Sequence, residues 1–159
     1  MTRGQATRPF RGVYLASGAM DELSLVRAAL SQLGGEAVAV LGSAAIVRGL
    51  EGLPRRWTPQ VAMPRGLERA QREGMDLHFW TIPAAQVEIV DDIPVTSVVR
   101  TLADVCRLLT REQSVCLVDS ALNRGLIVPD ALAEVRGLMA RRPNSVVGRR
   151  HLGLARVGA

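Results

Sequence analysis

Apolar positions recur every three to four residues near the start of the chain, which is the spacing of an amphipathic helix. The stripe comprises Leu23, Val26, Leu30 and Leu33. Asp21 and Glu22 stand in the first turn, where the helix dipole favours acidic side chains. The apolar run at residues 37–41 predicts a short strand, and a second helix is expected to follow at Gly42 with Ser43 as its N-cap.

The middle of the chain is typical of strands, because apolar and polar positions alternate there. Four segments are predicted as strands, at residues 60–63, 76–82, 86–90 and 93–96. In the second of them Leu77 and Phe79 share one face, and His78 and Trp80 share the other. The pair Asp91-Asp92 predicts a hairpin turn, since aspartate tolerates turn dihedrals. Segments this short favour an antiparallel or mixed sheet joined by turns, without a βαβ rhythm.

Three consecutive helices are predicted after the strands. Ser97 is expected to cap the first helix, in which Arg100 and Asp104 stand one turn apart and can pair. Residues 110–113 form a capping-box sequence that opens the second helix, and Pro129 suits the first turn of the third. The expected fold is therefore a mixed α/β (α+β) domain, in which a small mixed or antiparallel sheet is flanked by helices.

The length of 159 residues supports one globular domain with short appendages. We expect a remnant of a preceding segment at residues 1–15, a globular domain at 16–142 and an arginine-rich tail at 143–159. No apolar run approaches the roughly 20 residues that a membrane helix needs, so no membrane partner is expected. Residues 1–10 lack the apolar stretch of a secretory signal, and the cytoplasm is the expected location.

Charge is segregated along the chain. All twenty basic residues are arginine, which excludes lysine-dependent chemistry such as Schiff bases and the phosphate-binding P-loop. Residues 136–159 hold six arginines and no acid, and residues 1–12 hold three arginines and no acid. The stretch between them holds eleven arginines against all fifteen acids, a net charge of −4. The two basic ends therefore predict contact with a polyanion.

Duplex DNA is the polyanion that this pattern favours. Aromatic residues make up only 3% of the chain, so contacts to the backbone or to a groove are expected rather than base stacking. The candidate DNA-binding residues are Arg55, Arg56, Arg141, Arg142, Arg149 and Arg150. The alternative is a solvated basic surface without a nucleic-acid partner.

No sequence motif indicates a catalytic site, a cofactor site or a metal site. The cysteines and histidines lack the short ligand spacings of a zinc site, and Cys106 and Cys116 are expected to be buried free thiols. The acids Glu88, Asp91 and Asp92 follow one another near strands, and with His78 close by they could serve a metal-dependent nuclease. We therefore predict no catalytic residue, no metal and no cofactor, with a nuclease as the weakest alternative.

Four segments carry a family resemblance. They read LGSAAIVRGL at residues 41–50, VAMPR at 61–65, PVTSVVRTLAD at 94–104 and LVDSALNRGL at 117–126. The chain resembles the AbiEi-type antitoxins, transcriptional regulators of bacterial toxin–antitoxin and phage-defence loci that are common in high-GC actinobacteria. The resemblance covers about residues 8 to 156. Its central motif comprises Thr96, Ser97, Arg100, Thr101 and Asp104, which we interpret as an architectural signature.

The resemblance implies a winged helix that binds an operator, followed by a domain that counters a nucleotidyltransferase-type toxin. The family usually has several dozen residues of winged helix before the strand at residues 11–15, and many relatives continue into a nuclease domain. We expect the central domain alone, acting as a non-enzymatic regulator or antitoxin that binds DNA, a toxin or both. The alternative function is a protein-interaction module without nucleic-acid binding.

Overall fold

The structure, a computed structural model, describes residues 21–55, 57–67 and 71–140 in full, and the backbone of two strands before them. The strands are β1 (Thr7–Phe10), β2 (Val13–Leu15), β3 (Val38–Ala39), β4 (Gln60–Met63), β5 (Asp76–Phe79), β6 (Val87–Val90) and β7 (Ile93–Thr96). The helices are α1 (Glu22–Leu33), α2 (Leu41–Val47), α3 (Val98–Val105), α4 (Arg111–Asn123) and α5 (Ala131–Met139), with a short 3₁₀ turn at Ala84–Gln86.

Five strands form one mixed sheet in the order β5-β4-β3-β7-β6. β3 pairs antiparallel with β4 and parallel with β7, β4 pairs parallel with β5, and β6 pairs antiparallel with β7. β1 and β2 form a separate antiparallel pair whose backbone lies near α1. The mixed α+β class is thus confirmed.

α1 covers one face of the sheet. Asp21 caps it by accepting a hydrogen bond from the backbone N–H of Ser24 at 2.7 Å. The buried face of α1 packs on strands β4 and β5 in a cluster that includes Ala28, Ala29, Leu33, Val61, Met63 and Leu77. The helical spacing in this part of the chain therefore reflects burial against the sheet.

The larger cluster lies among α3, α4 and α5. α3 packs closely against α5, and Leu102, Leu117, Val135 and Met139 are fully buried there. Thr110 opens α4 with a complete capping box, in which its side chain and that of Gln113 bond each other's backbone N–H groups. Helices α4 and α5 thus support α3, and α3 carries most of the signature motif.

Three local predictions were wrong. α2 begins at Leu41 after an uncapped Val40, and the Ser43 hydroxyl accepts from the backbone N–H of Gln60 at 2.7 Å instead. The Gln60 side chain in turn accepts from the N–H of Gly42 at 2.8 Å, so a neighbouring strand replaces the local cap. β5 ends at Phe79 rather than at residue 82, and α5 begins after Pro129, at Ala131.

Candidate functional site

The signature motif lies where β7 meets α3. The hydroxyls of Thr96 and Thr101 are 2.8 Å apart and fully buried, and Thr101 also reaches the carbonyl oxygen of Thr96 at 3.2 Å. Ser97 caps α3, because its hydroxyl accepts from the backbone N–H of Arg100 at 3.2 Å. These contacts fix the angle at which the helix leaves the strand.

Arg100 and Asp104 form a buried ion pair inside this junction. The Nε atom of Arg100 donates to Oδ2 of Asp104 at 2.6 Å, and the two residues are 3% and 0% exposed. A second guanidinium nitrogen donates to Oε1 of Gln86 at 2.7 Å. The carbonyl oxygen of Gln86 accepts from the N–H of Ser97 at 2.9 Å, so the pair also anchors the segment that leads into β6.

Two aromatic rings extend the cluster onto the edge strand β5 and just beyond it. The guanidinium carbon of Arg100 lies 5.9 Å from the centre of the Trp80 ring, and the His78 ring centre is 4.6 Å from it. Burial lowers the pKa of His78, although the negative charges of Asp76 and Asp104 act in the opposite direction. Nε2 of His78 is buried and has no hydrogen-bond partner. The neutral imidazole is therefore the favoured form.

The polar groups of this cluster are hydrogen-bonded to one another and to neighbouring residues of the same domain. The Arg100 guanidinium is held by Asp104 and Gln86, and the Thr96 carbonyl accepts a further bond from Arg48 of the α2 C-terminus at 2.9 Å. A buried, paired guanidinium offers nothing to a ligand. The geometry supports the architectural interpretation of the motif. Sequence reasoning missed Gln86 and Arg48, since neither stands at a helical or strand spacing from the motif.

The predicted DNA-binding residues fall mostly outside the described part of the chain. Arg55 is described, and it is exposed in the segment between α2 and β4. Outside the described residues lie Arg56, Arg141, Arg142, Arg149 and Arg150. The tail boundary at residue 143 lies there too, so both the boundary and this set of residues stay predictions.

The acids considered for a nuclease do not converge with His78. Asp91 and Asp92 form the exposed turn between β6 and β7, with φ angles of 47° and 63°, as predicted for a hairpin. Glu88 accepts from Arg48 at 2.6 Å. His78 lies on β5, at the opposite edge of the sheet from β6, so its expected proximity to these acids was wrong. In residues 21–55, 57–67 and 71–140, no three His, Cys, Asp or Glu side chains could hold a metal ion.

The two cysteines occupy different environments. Cys106 is fully buried, and burial raises the pKa of its thiol to about 12. A hydrogen bond with Ser114 acts in the opposite direction and lowers this pKa. Cys116 is exposed on α4, so the expectation that it is buried was wrong. The reason is that the buried side of α4 is formed by the neighbouring positions Ser114, Leu117 and Val118. Both thiols are free.

Comparison with known families fits this arrangement. A sequence model described as the AbiEi antitoxin C-terminal domain matches residues 37–152. The chain belongs to this family. The matched region begins just before β3 and includes the sheet from β3 onward, the signature motif and helices α3, α4 and α5.

Membership of the AbiEi antitoxin family supports an antitoxin or regulatory role for the chain. No curated protein matches the sequence significantly. None of the helices that the structure describes is long and apolar enough to span a membrane.

Proposed function

We propose that this AbiEi-type domain is a non-enzymatic regulator that binds duplex DNA through its arginine-rich segments, and that it works in the cytoplasm. The segregation of charge carries the proposal. In the described body of the domain, three arginines lie within 4 Å of a carboxylate, in the pairs Arg48–Glu88, Arg100–Asp104 and Arg107–Asp104. Residues 136–159 contain six arginines and no acid to neutralise them.

Arginine suits contact with a phosphate backbone, because its planar guanidinium can bond two phosphate oxygens at once. Arg55 is exposed beside Arg56 in the sequence and would add a second contact point. Such contacts position a protein on DNA without reading its sequence. The proposed binding is therefore mainly electrostatic and released by salt.

The test is fluorescence anisotropy with a labelled duplex over a range of salt concentrations. Changing Arg141, Arg142, Arg149 and Arg150 to Ala should weaken binding and flatten the plot of log affinity against log salt. If all four contact phosphates, the slope should fall by about 3 to 4. The matched control changes Arg27 and Arg124, which are exposed on α1 and just after α4, to Ala. The proposal is wrong if the tail variant binds as tightly as the native chain.

A protein-binding role is the second candidate function. The net charge of −4 between the basic ends favours it, as does the family's description as an antitoxin domain. The partner would be a nucleotidyltransferase-type toxin. Co-purification of the chain with such a toxin, together with no DNA binding at low salt, would select this candidate over the first.

A further inference from the structure

The outer side of α4 forms one wall of a groove of about 680 Å³. It is lined by Glu51 and by seven residues of α4: Arg111, Glu112, Val115, Cys116, Asp119, Ser120 and Asn123. This surface lies outside the signature motif and takes no part in the contacts around Arg100. Most of the lining residues have polar or charged side chains, and Val115 is the one aliphatic residue among them.

The wall opposite α4 is held in place by backbone contacts. The N–H of Glu51 donates to the hydroxyl of Ser120 at 3.1 Å. Gly52 has a φ of 108°, and a Cβ atom there would lie 2.8 Å from the carbonyl oxygen of Gln113. The loop thus packs directly on the α4 backbone, and the groove exists before any partner binds.

The groove is acidic. Three carboxylates line it against the single guanidinium of Arg111. Oδ1 of Asp119 is buried and has no hydrogen-bond partner. Asp119 as a whole remains partly exposed, so its negative charge adds to that of Glu51 and Glu112 and favours a cationic group such as a guanidinium.

We propose that the arginine-rich segment 141–159 of this chain docks in the α4 groove when no polyanion is bound. This segment carries five arginines and no acid, which complements the charge of the groove. It directly follows Ala140, the last residue that the structure describes. At about 3.3 Å per residue, 19 residues reach roughly 60 Å, so length does not limit access to α4.

Tethering makes a weak contact sufficient. A segment joined to its own groove is present at an effective concentration in the millimolar range, so even a millimolar affinity keeps it docked about half of the time. The contact is electrostatic and exposed, and salt therefore weakens it. A polyanion that binds the arginines of residues 141–159 therefore competes with the groove for them.

The docking itself does not require DNA binding; only its consequence for affinity rests on the proposed function. Arginines that are held by the groove are withheld from phosphates. Changing Glu51 to Gln and Asp119 to Asn should release them and raise DNA affinity at low salt. If between half and nine-tenths of the molecules are docked, the increase is about two- to tenfold.

Amide NMR spectra of the full-length protein at low salt test the docking without DNA. Changing Arg141, Arg142, Arg149 and Arg150 to Ala should shift the amide signals of Glu51, Cys116 and Asp119, and leave those of α1 in place. In a background that carries Glu51→Gln and Asp119→Asn, the same tail substitutions should shift none of these groove signals. The matched control background, Asp130→Asn with Glu134→Gln, alters exposed acids at α5 and should preserve the shifts.

The proposal is overturned if the tail substitutions leave the amide signals of the groove residues unshifted in the native background. Shifts that persist unchanged in the neutralised groove also overturn it, because the tail would then be acting elsewhere. Shifts that vanish when the protein is diluted would assign the contact to a second copy rather than to the same chain, which likewise contradicts it. Absence of DNA binding, with the expected shifts present, would reject the proposed function and leave the docking intact.

Discussion

Arg100 donates through Nε to Oδ2 of Asp104 at 2.6 Å, one helical turn away, in a position that solvent barely reaches. The pair links α3 to the start of β6 through Gln86, and Arg107 approaches the second Asp104 oxygen at 3.9 Å. Two opposite charges in this position define the strand-to-helix junction on which the family motif is centred.

The first prediction concerns this pair. Asp104→Ala removes the carboxylate and leaves a buried guanidinium without its counter-charge, so the free energy of unfolding should fall by about 3–5 kcal/mol. Urea denaturation followed by circular dichroism measures it. Arg111→Ala, at an exposed position of α4, serves as the control and should change stability by no more than about 0.5 kcal/mol. A loss below about 1 kcal/mol in Asp104→Ala would show that the pair does not stabilise the junction.

The second prediction separates two glycines. Gly52→Ala places a Cβ 2.8 Å from the Gln113 carbonyl oxygen at a φ of 108°, and should cost about 1–3 kcal/mol in backbone strain alone. Gly137→Ala meets no atom within 4 Å and lies within α5, so it should stabilise the protein by about 0.5–1 kcal/mol. The two melting temperatures should move in opposite directions; equal shifts would contradict the packing of the Gly52 loop on α4.

The third prediction concerns pH. Burial lowers the pKa of His78 in the folded protein below its ordinary value of 6.5. The unfolded chain therefore binds a proton more readily than the folded one between these two values. The stability that neutral His78 contributes is present above about pH 6.5 and is lost as the pH falls below it, until the folded pKa is passed.

Urea denaturation at pH 8 and pH 5.5 tests this linkage. The loss of stability between the two pH values should be smaller in His78→Gln than in the native chain. His151→Gln, the other histidine, is the matched control and should retain the native loss. An identical loss in all three proteins would assign the pH dependence to other groups.

Local signals in the sequence predicted the elements well where the determinant is local. Ser97 and Thr110 cap their helices as expected, because an N-cap contact spans only three residues. The aspartate pair forms its hairpin turn for the same reason. Ser43 failed as a cap because Gln60, seventeen residues away, competes for its hydroxyl.

The candidate site was only partly predictable. A spacing of four residues showed that Arg100 and Asp104 can pair, but burial decided that the pair serves the interior. The α4 groove was not foreseen, since Glu51 reaches it through a loop whose course depends on Gly52 fitting against α4. Nothing in the periodicity of α4 marked Cys116 as exposed or Asp119 as incompletely bonded.

By itself, the sequence determined most of the segments that become helices and strands, the absence of lysine and the concentration of arginines at both ends. These properties are local or additive, and neighbouring residues suffice to set them. Tertiary structure alone decided the strand order, the parallel pairing of β3 with β7, the separation of His78 from Glu88 and the groove beside α4. Such features depend on which distant surfaces bury one another, and many pairings satisfy the same alternating pattern.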